Sequence, residues 1–232
     1  MMKNIIIACQ TLNDELNLAI NETHCKYPVI WVDSEYHMAP NHLRSKLQQE
    51  IDKLRNIDNI LLAYGFCGNA VIGLTASTAN LIFPKTDDCI SMVLSKPGEG
   101  FQRMKATYFL TKGWIESSKS LIMEYLNALK RYGEKKTKRI YQLMLKHYNQ
   151  LMIIDTGAYS VEDYLDEAGE IAKIADLDLI IEKGSIWWLK KLLTGPHDKD
   201  FCIIKKGQKV NITHLGYQYD EQTHQNSFGI VC

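Results

Sequence analysis

Three cysteines stand at or just beyond the ends of apolar runs. Cys9 closes Ile5-Ile6-Ile7-Ala8-Cys9, Cys67 follows Leu61-Leu62-Ala63-Tyr64-Gly65-Phe66, and Cys89 follows Phe83-Pro84-Lys85-Thr86-Asp87-Asp88. If the runs are strands of one parallel sheet, the three loops leave the same edge, which is where open α/β sheets bind ligands. His37, in Val32-Asp33-Ser34-Glu35-Tyr36-His37-Met38-Ala39-Pro40, follows another such run and would share that edge. Thiolates select zinc, iron–sulfur clusters or Cu(I), and imidazole commonly supplies the remaining zinc ligand. Cys9, His37, Cys67 and Cys89 are therefore the candidate metal ligands, with zinc favoured. The three cysteines without His37 would suit a [4Fe–4S] cluster with one iron open. The competing interpretation is that they are buried cysteines acting as small hydrophobes.

Other polar groups cluster at the same predicted strand ends. Tyr64-Gly65-Phe66-Cys67-Gly68-Asn69 reads as a strand-to-helix turn whose backbone N–H groups could cradle an anion. Tyr64, Gly65, Gly68 and Asn69 are accordingly candidate cofactor contacts, although the spacing is not that of a dinucleotide fingerprint. A thiolate activated at a helix N-terminus is a further possibility for Cys67 and Cys89. Asp87-Asp88 would cap the helix after it or support a metal ligand. Thr111, Lys112, Asp155 and Thr156 end later strands and, with Thr107 from the segment that leads to Thr111, could bind a polar ligand, or serve as caps and turn residues.

Positioning these groups requires alternating strands and helices. Strands are predicted at Lys3–Ala8, Pro28–Asp33, Asn59–Tyr64, Asn80–Phe83, Thr107–Leu110, Leu151–Asp155 and Leu177–Glu182. Helices are predicted at Thr11–Glu22 with Thr11 as N-cap, Asn41–Arg55, Gly68–Ala79, Asp88–Leu94, 114–131, 134–148, Ser160–Ala175 with Ser160 and Asp163 as a capping box, and Ser185–Leu193, and Phe201–Lys205 with Lys209–Ile212 reads as a closing hairpin. The pattern is that of an α/β protein with a Rossmann-like, mostly parallel sheet and helices on both faces. The breaker cluster Ser95-Lys96-Pro97-Gly98-Glu99-Gly100 suggests two facing lobes, 1–96 and 101–215, followed by a polar tail, 216–232.

Composition narrows the function classes. The 232 residues are 46% apolar, enough for a sizeable core, and carry 27 basic and 27 acidic side chains. That balance argues against a nucleic-acid partner, which calls for a basic surplus. The apolar run before Cys9 is shorter than the roughly 7–15 residues of a signal peptide, and no stretch approaches the ~20 residues of a membrane span. The expectation is a cytoplasmic chain without a membrane partner. There, six cysteines lacking any C-x-x-C indicate metal or thiol chemistry rather than disulfides. Cys25, Cys202 and Cys232 are assigned no site role. The basic run from Lys130 to Arg139 reads as a solvated helix face.

Taken together, several segments resemble the family catalogued as domain of unknown function 1638. They are Ile7-Ala8-Cys9, His37 with Pro40, Tyr64-Gly65-Phe66-Cys67-Gly68, Cys89, Thr107-Tyr108-Phe109-Leu110-Thr111 and His147-Tyr148. The likeness spans roughly residues 3–182. It implies that the three cysteines and His37 act as one set. It also implies a link to anaerobic, corrinoid-dependent methyl metabolism, with a corrinoid or methyltransferase protein as partner. Asn69 after Cys67-Gly68, and Lys112-Gly113 after Thr111, depart from the pattern of some relatives.

Three functions follow from these residues. The first is a metal-dependent enzyme or accessory factor of one-carbon metabolism, possessing a small-molecule or cofactor ligand between the lobes. The second is a non-metallic binding module that clamps a small anion or cofactor. The third is a cysteine-nucleophile enzyme with Cys67 or Cys89 attacking and His37 as base.

Overall fold

A computed structural model describes residues 2–95 and 102–215. The breaker cluster beyond Ser95 and the tail from Gly216, with Cys232, lie outside the described residues. The architecture is α/β and Rossmann-like, built on two sheets.

The first sheet contains β1 (Asn4–Cys9), β2 (Val29–Val32), β3 (Asn59–Ala63), β4 (Asn80–Pro84) and β8 (Phe201–Ile204), in the order β2-β1-β3-β4-β8. The first four strands run parallel, and β8 is antiparallel to β4. The second sheet is β5 (Thr107–Leu110), β6 (Gln150–Asp155) and β7 (Asp178–Lys183), all parallel. β1 and β3 are buried almost throughout, which explains why they read as continuous rather than alternating apolar runs.

Helices cover both faces of both sheets. α2 (Pro40–Lys53) packs Leu43, Leu47 and Ile51 against one face of the first sheet. The other face meets α1 (Asn13–Thr23), α3 (Cys89–Leu94) and α8 (Trp187–Thr194). Met152 and Ile154 of β6 belong to the same apolar cluster, so this helical layer is shared by the two sheets. α5 (Leu121–Tyr132), α6 (Glu134–Met144) and α7 (Leu165–Ala175) cover the outer face of the second sheet. The short α4 (Lys112–Ile115) follows β5.

Several local expectations are corrected. Gly68–Ala79 forms turns and a single bridge (Thr75 with Lys209), not a helix. Cys67, Gly68, Asn69 and Gly73 all have positive φ, at 44°, 60°, 66° and 94°, a run that no right-handed helix accommodates. The anion cradle at a helix N-terminus after Cys67 therefore does not form. The closing hairpin is also absent: β8 pairs with β4 instead. In consequence the chain crosses back, and β8 belongs to the first sheet rather than to the 101–215 lobe. Thr11 lies in a 3-10 turn, Gln10–Leu12, ahead of α1 and does not cap it. The capping box at Ser160 gives way to a 3-10 turn over Val161–Tyr164 before α7.

Candidate functional site

Register decides which side chains meet. Cys9 is level with Val32 of β2, and Ala8 with Ala63 of β3. The segments leading to His37 and Cys67 therefore leave the sheet on either side of Cys9. The strand order reverses direction between β1 and β3, the switch point at which doubly wound sheets open a crevice.

The closest contact is between Cys9 Sγ and His37 Nε2, at 3.0 Å. The same sulfur lies 3.0 Å from Thr11 Oγ1, so the hydroxyl that might have capped α1 faces the thiol instead. His37 stacks on Tyr64 and meets the edge of Trp114, with ring centroids 6.1 and 5.6 Å apart. Trp114 belongs to α4, after the second sheet's first strand. The second sheet thus closes over the imidazole.

Cys67 and Cys89 reach the same place from adjoining loops. Phe66 N–H donates to Thr86 O at 2.8 Å and Cys67 N–H to Asp87 O at 2.7 Å. This crossing needs Gly65, because a Cβ there would lie 2.6 Å from Asp88 N and 2.7 Å from Thr86 O. Asp88 caps α3, accepting from Ser91 N–H at 2.8 Å, and forms an ion pair with Arg103. Arg103 packs on the Phe109 ring. The capping expectation for Asp88 is thereby met, and the chain crosses from one sheet to the other at this point.

Burial dominates the electrostatics of the cluster. Burial pushes the Cys9 thiol up to about 12, with the neighbouring Cys89 adding to the shift. Burial likewise drives Cys67 well above the usual thiol range, followed by the charges of Cys89, Asp88 and Cys9. Tyr64 is raised by burial and then by the same three sulfurs. His37 is lowered by burial to about 4, with Asp88 opposing. Cys9 and Cys67 thus rest as protonated thiols near pH 7, and His37 as a neutral imidazole. Three more buried polar atoms lack a protein hydrogen-bond partner: Tyr64 Oη, Thr86 Oγ1 on the crossing loop, and Thr111 Oγ1 just before α4.

Cys9, His37, Cys67 and Cys89 are thus brought to one location, together with Tyr64 and Gly65. Among the described residues, no three His, Cys, Asp or Glu side chains stand at liganding separation for a metal ion. Zinc bonds of ~2.3 Å to sulfur and ~2.0 Å to nitrogen put tetrahedral ligands ~3.6 Å apart. The Cys9–His37 pair would have to open by roughly half an ångström, and the Cys67 and Cys89 thiols would have to come within liganding distance. The donor types are those that zinc takes, but no ligand shell is formed among the described residues.

The remaining predicted contacts lie elsewhere. Asp155 forms an exposed ion pair with Lys183 at 2.5 Å and accepts from Gly157 N–H, a turn role. The Thr107 hydroxyl contacts Lys105 O and Gln150 at the start of β5, the opposite end of that strand. Gly68 and Asn69 supply the left-handed turn after Cys67, and Asn69 O accepts from Arg44 at 3.0 Å. Cys25 is partly buried, and Cys202 is buried on β8 with its thiol donating to His214 O.

One feature between the sheets was missed. Glu15 is 1% exposed in the first turn of α1. Its Oε1 accepts from Thr156 at 3.1 Å, and its Oε2 has no partner. Burial lifts its carboxyl to about 7. An acidic residue in a helix's first turn reads as a favourable dipole contact; only the packing of β6 onto α1 buries it.

No curated protein and no solved structure matched the chain. The family model described as Protein of unknown function (DUF1638) matches residues 31–193. The matched span includes His37, Cys67 and Cys89 and begins after Cys9. The chain belongs to this family of unknown function, DUF1638.

Proposed function

We propose that the chain binds one metal ion, zinc by preference, at the β1/β3 crevice through Cys9, His37, Cys67 and Cys89. The observation that carries this reading is the gathering of three thiols and an imidazole at one sheet edge, with Cys9, Cys67 and His37 held neutral there. A divalent cation is the partner that converts such thiols into stable thiolates. The cysteine-nucleophile alternative is weakened by the same geometry. A Cys67 thiol raised well above its usual range is a poor nucleophile near neutrality, and an imidazole lowered to about 4 is a weak base.

When bound, zinc would lower the pKa of a coordinated thiol or water. Trp114 excludes solvent from His37. Tyr64, Thr86 and Thr111 offer unfilled polar atoms to a small ligand. Group transfer to a metal-activated thiol, in cytoplasmic one-carbon metabolism with a corrinoid partner, is the activity that the family resemblance implies for such a site. A [4Fe–4S] cluster on the three cysteines is the second metal reading.

The test is proton release. Because Cys9 and Cys67 are protonated near pH 7, zinc binding there should release at least about two protons. Calorimetry in buffers of different ionisation enthalpy measures that number. A value near zero, with saturable binding, would place the ion elsewhere and sink this assignment.

A further inference from the structure

The second sheet's helical cover is electrically divided. Residues 121–146, spanning α5 and α6, carry seven basic and two acidic side chains, a net of +5. Residues 161–182, spanning the turn before α7, α7 itself and β7, carry eight acidic and one basic, a net of −7. The whole chain is neutral. None of these basic or acidic side chains enters an ion pair among the described residues, although α7 packs beside both α5 and α6.

Both regions also expose apolar groups. Met123 and Leu126 share the flank of α5 that carries Lys130. On α6, Leu143 is 59% exposed and Met144 47%, with Ile140 beside them. These residues sit outside the buried stripes Leu121, Ile122, Tyr125 and Thr137, Tyr141, Leu145, so the core does not use them. On the acidic side, Ile181 of the edge strand β7 is 52% exposed between Asp178 and Glu182. Charges on an edge strand guard against unwanted pairing, but they do not account for a basic helical hairpin beside it. The exposed apolar groups of the hairpin are methionine, leucine and isoleucine, with Tyr132 at the end of α5, and the flexible methionines suit an adaptable protein contact.

We infer that the α5–α6 hairpin docks on the α7–β7 flank of a second copy of this chain, in a twofold-symmetric dimer. Adjacent patches of opposite sign on one protomer meet their opposites when a twofold axis passes between them. Apolar side chains supply the contact area, and the charges set register and orientation. The interface lies on the outer face of the second sheet, away from the cysteine cluster, and does not depend on its metal.

Sedimentation-velocity measurement of the full chain at micromolar concentration tests this. Wild type should be a dimer whose dissociation constant rises by about tenfold or more from low to half-molar salt. The triple variant Lys135→Glu, Lys138→Glu, Arg139→Glu should be monomeric, as should Asp166→Lys, Glu167→Lys, Glu170→Lys. All six positions are exposed, so both variants should keep the wild-type circular dichroism and thermal transition. Mixed together, the two variants should form a one-to-one hybrid dimer, because each patch again faces its opposite. A monomeric wild type, a dimer indifferent to either reversal, or failure of the hybrid would overturn the inference. A monomeric wild type that co-sediments with phosphatidylserine vesicles would assign the basic patch to a membrane surface and overturn it as well.

Discussion

At the scale of single residues, the same physics governs the cysteine cluster and Glu15: burial penalises the charged form of a titratable group. Glu15 has a folded-state value of about 7, above its ordinary 4.5. Its contribution to stability is therefore complete below pH 4.5 and is lost as pH rises through 7. The loss amounts to about 3 kcal/mol. Glu15→Gln keeps a partner for Thr156 and removes the charge. Urea unfolding should show the variant more stable than wild type by about that amount at pH 8 and nearly equal to it at pH 4. Among the cysteines, Cys67→Ser and Cys89→Ser should each abolish tight metal binding. Cys25→Ser should leave it unchanged, because Cys25 has no place in the cluster. Parallel titrations of the three variants measure this. The cysteine positions were legible because a strand end is recognisable from its apolar run. The pairing of Cys9 with His37 was not, because it depends on register between strands far apart in the chain. The unfilled oxygen of Glu15 was hidden for the same reason.

At the scale of elements, close backbone approach sets the tolerances. Gly113 sits where α4 meets the turn over Gln10–Leu12, and a Cβ there would lie 2.1 Å from Thr11 O. Gly113→Ala should cost at least about 2 kcal/mol, because backbone on both sides must shift. Gly169 in α7 is the contrast: its Cβ would meet only Leu179 Cδ2, at 4.0 Å. Gly169→Ala should be neutral or stabilising by up to about 1 kcal/mol, through helix propensity. Thermal melts of the two variants should therefore move in different directions. The strands were readable because fully buried parallel strands are continuous apolar runs. The segment Gly68–Ala79 misled because small residues suit a helix packed on a sheet and a chain of tight turns equally well. Three consecutive positive φ values, from Cys67 to Asn69, distinguish the two only in three dimensions. Likewise Thr11 has the composition of an N-cap, but its hydroxyl lies against Cys9.

At the scale of the whole molecule, two sheets share one helical layer, and the crevice of the first is roofed by α4 from the second. The α/β class was legible from the alternation of patterns. The return of β8 to the first sheet was not, since an antiparallel edge strand looks the same in sequence as half of a hairpin. This architecture explains why burial holds Cys9, Cys67 and His37 neutral, and that neutrality supports the proposal of a metal site in the crevice. Elemental analysis of the full chain purified without oxygen or chelator, with its absorption spectrum, is the most direct test. The account predicts about one equivalent of zinc in a colourless protein, falling to background in Cys67→Ser. Protein carrying neither zinc nor iron, and binding neither when offered, would contradict it.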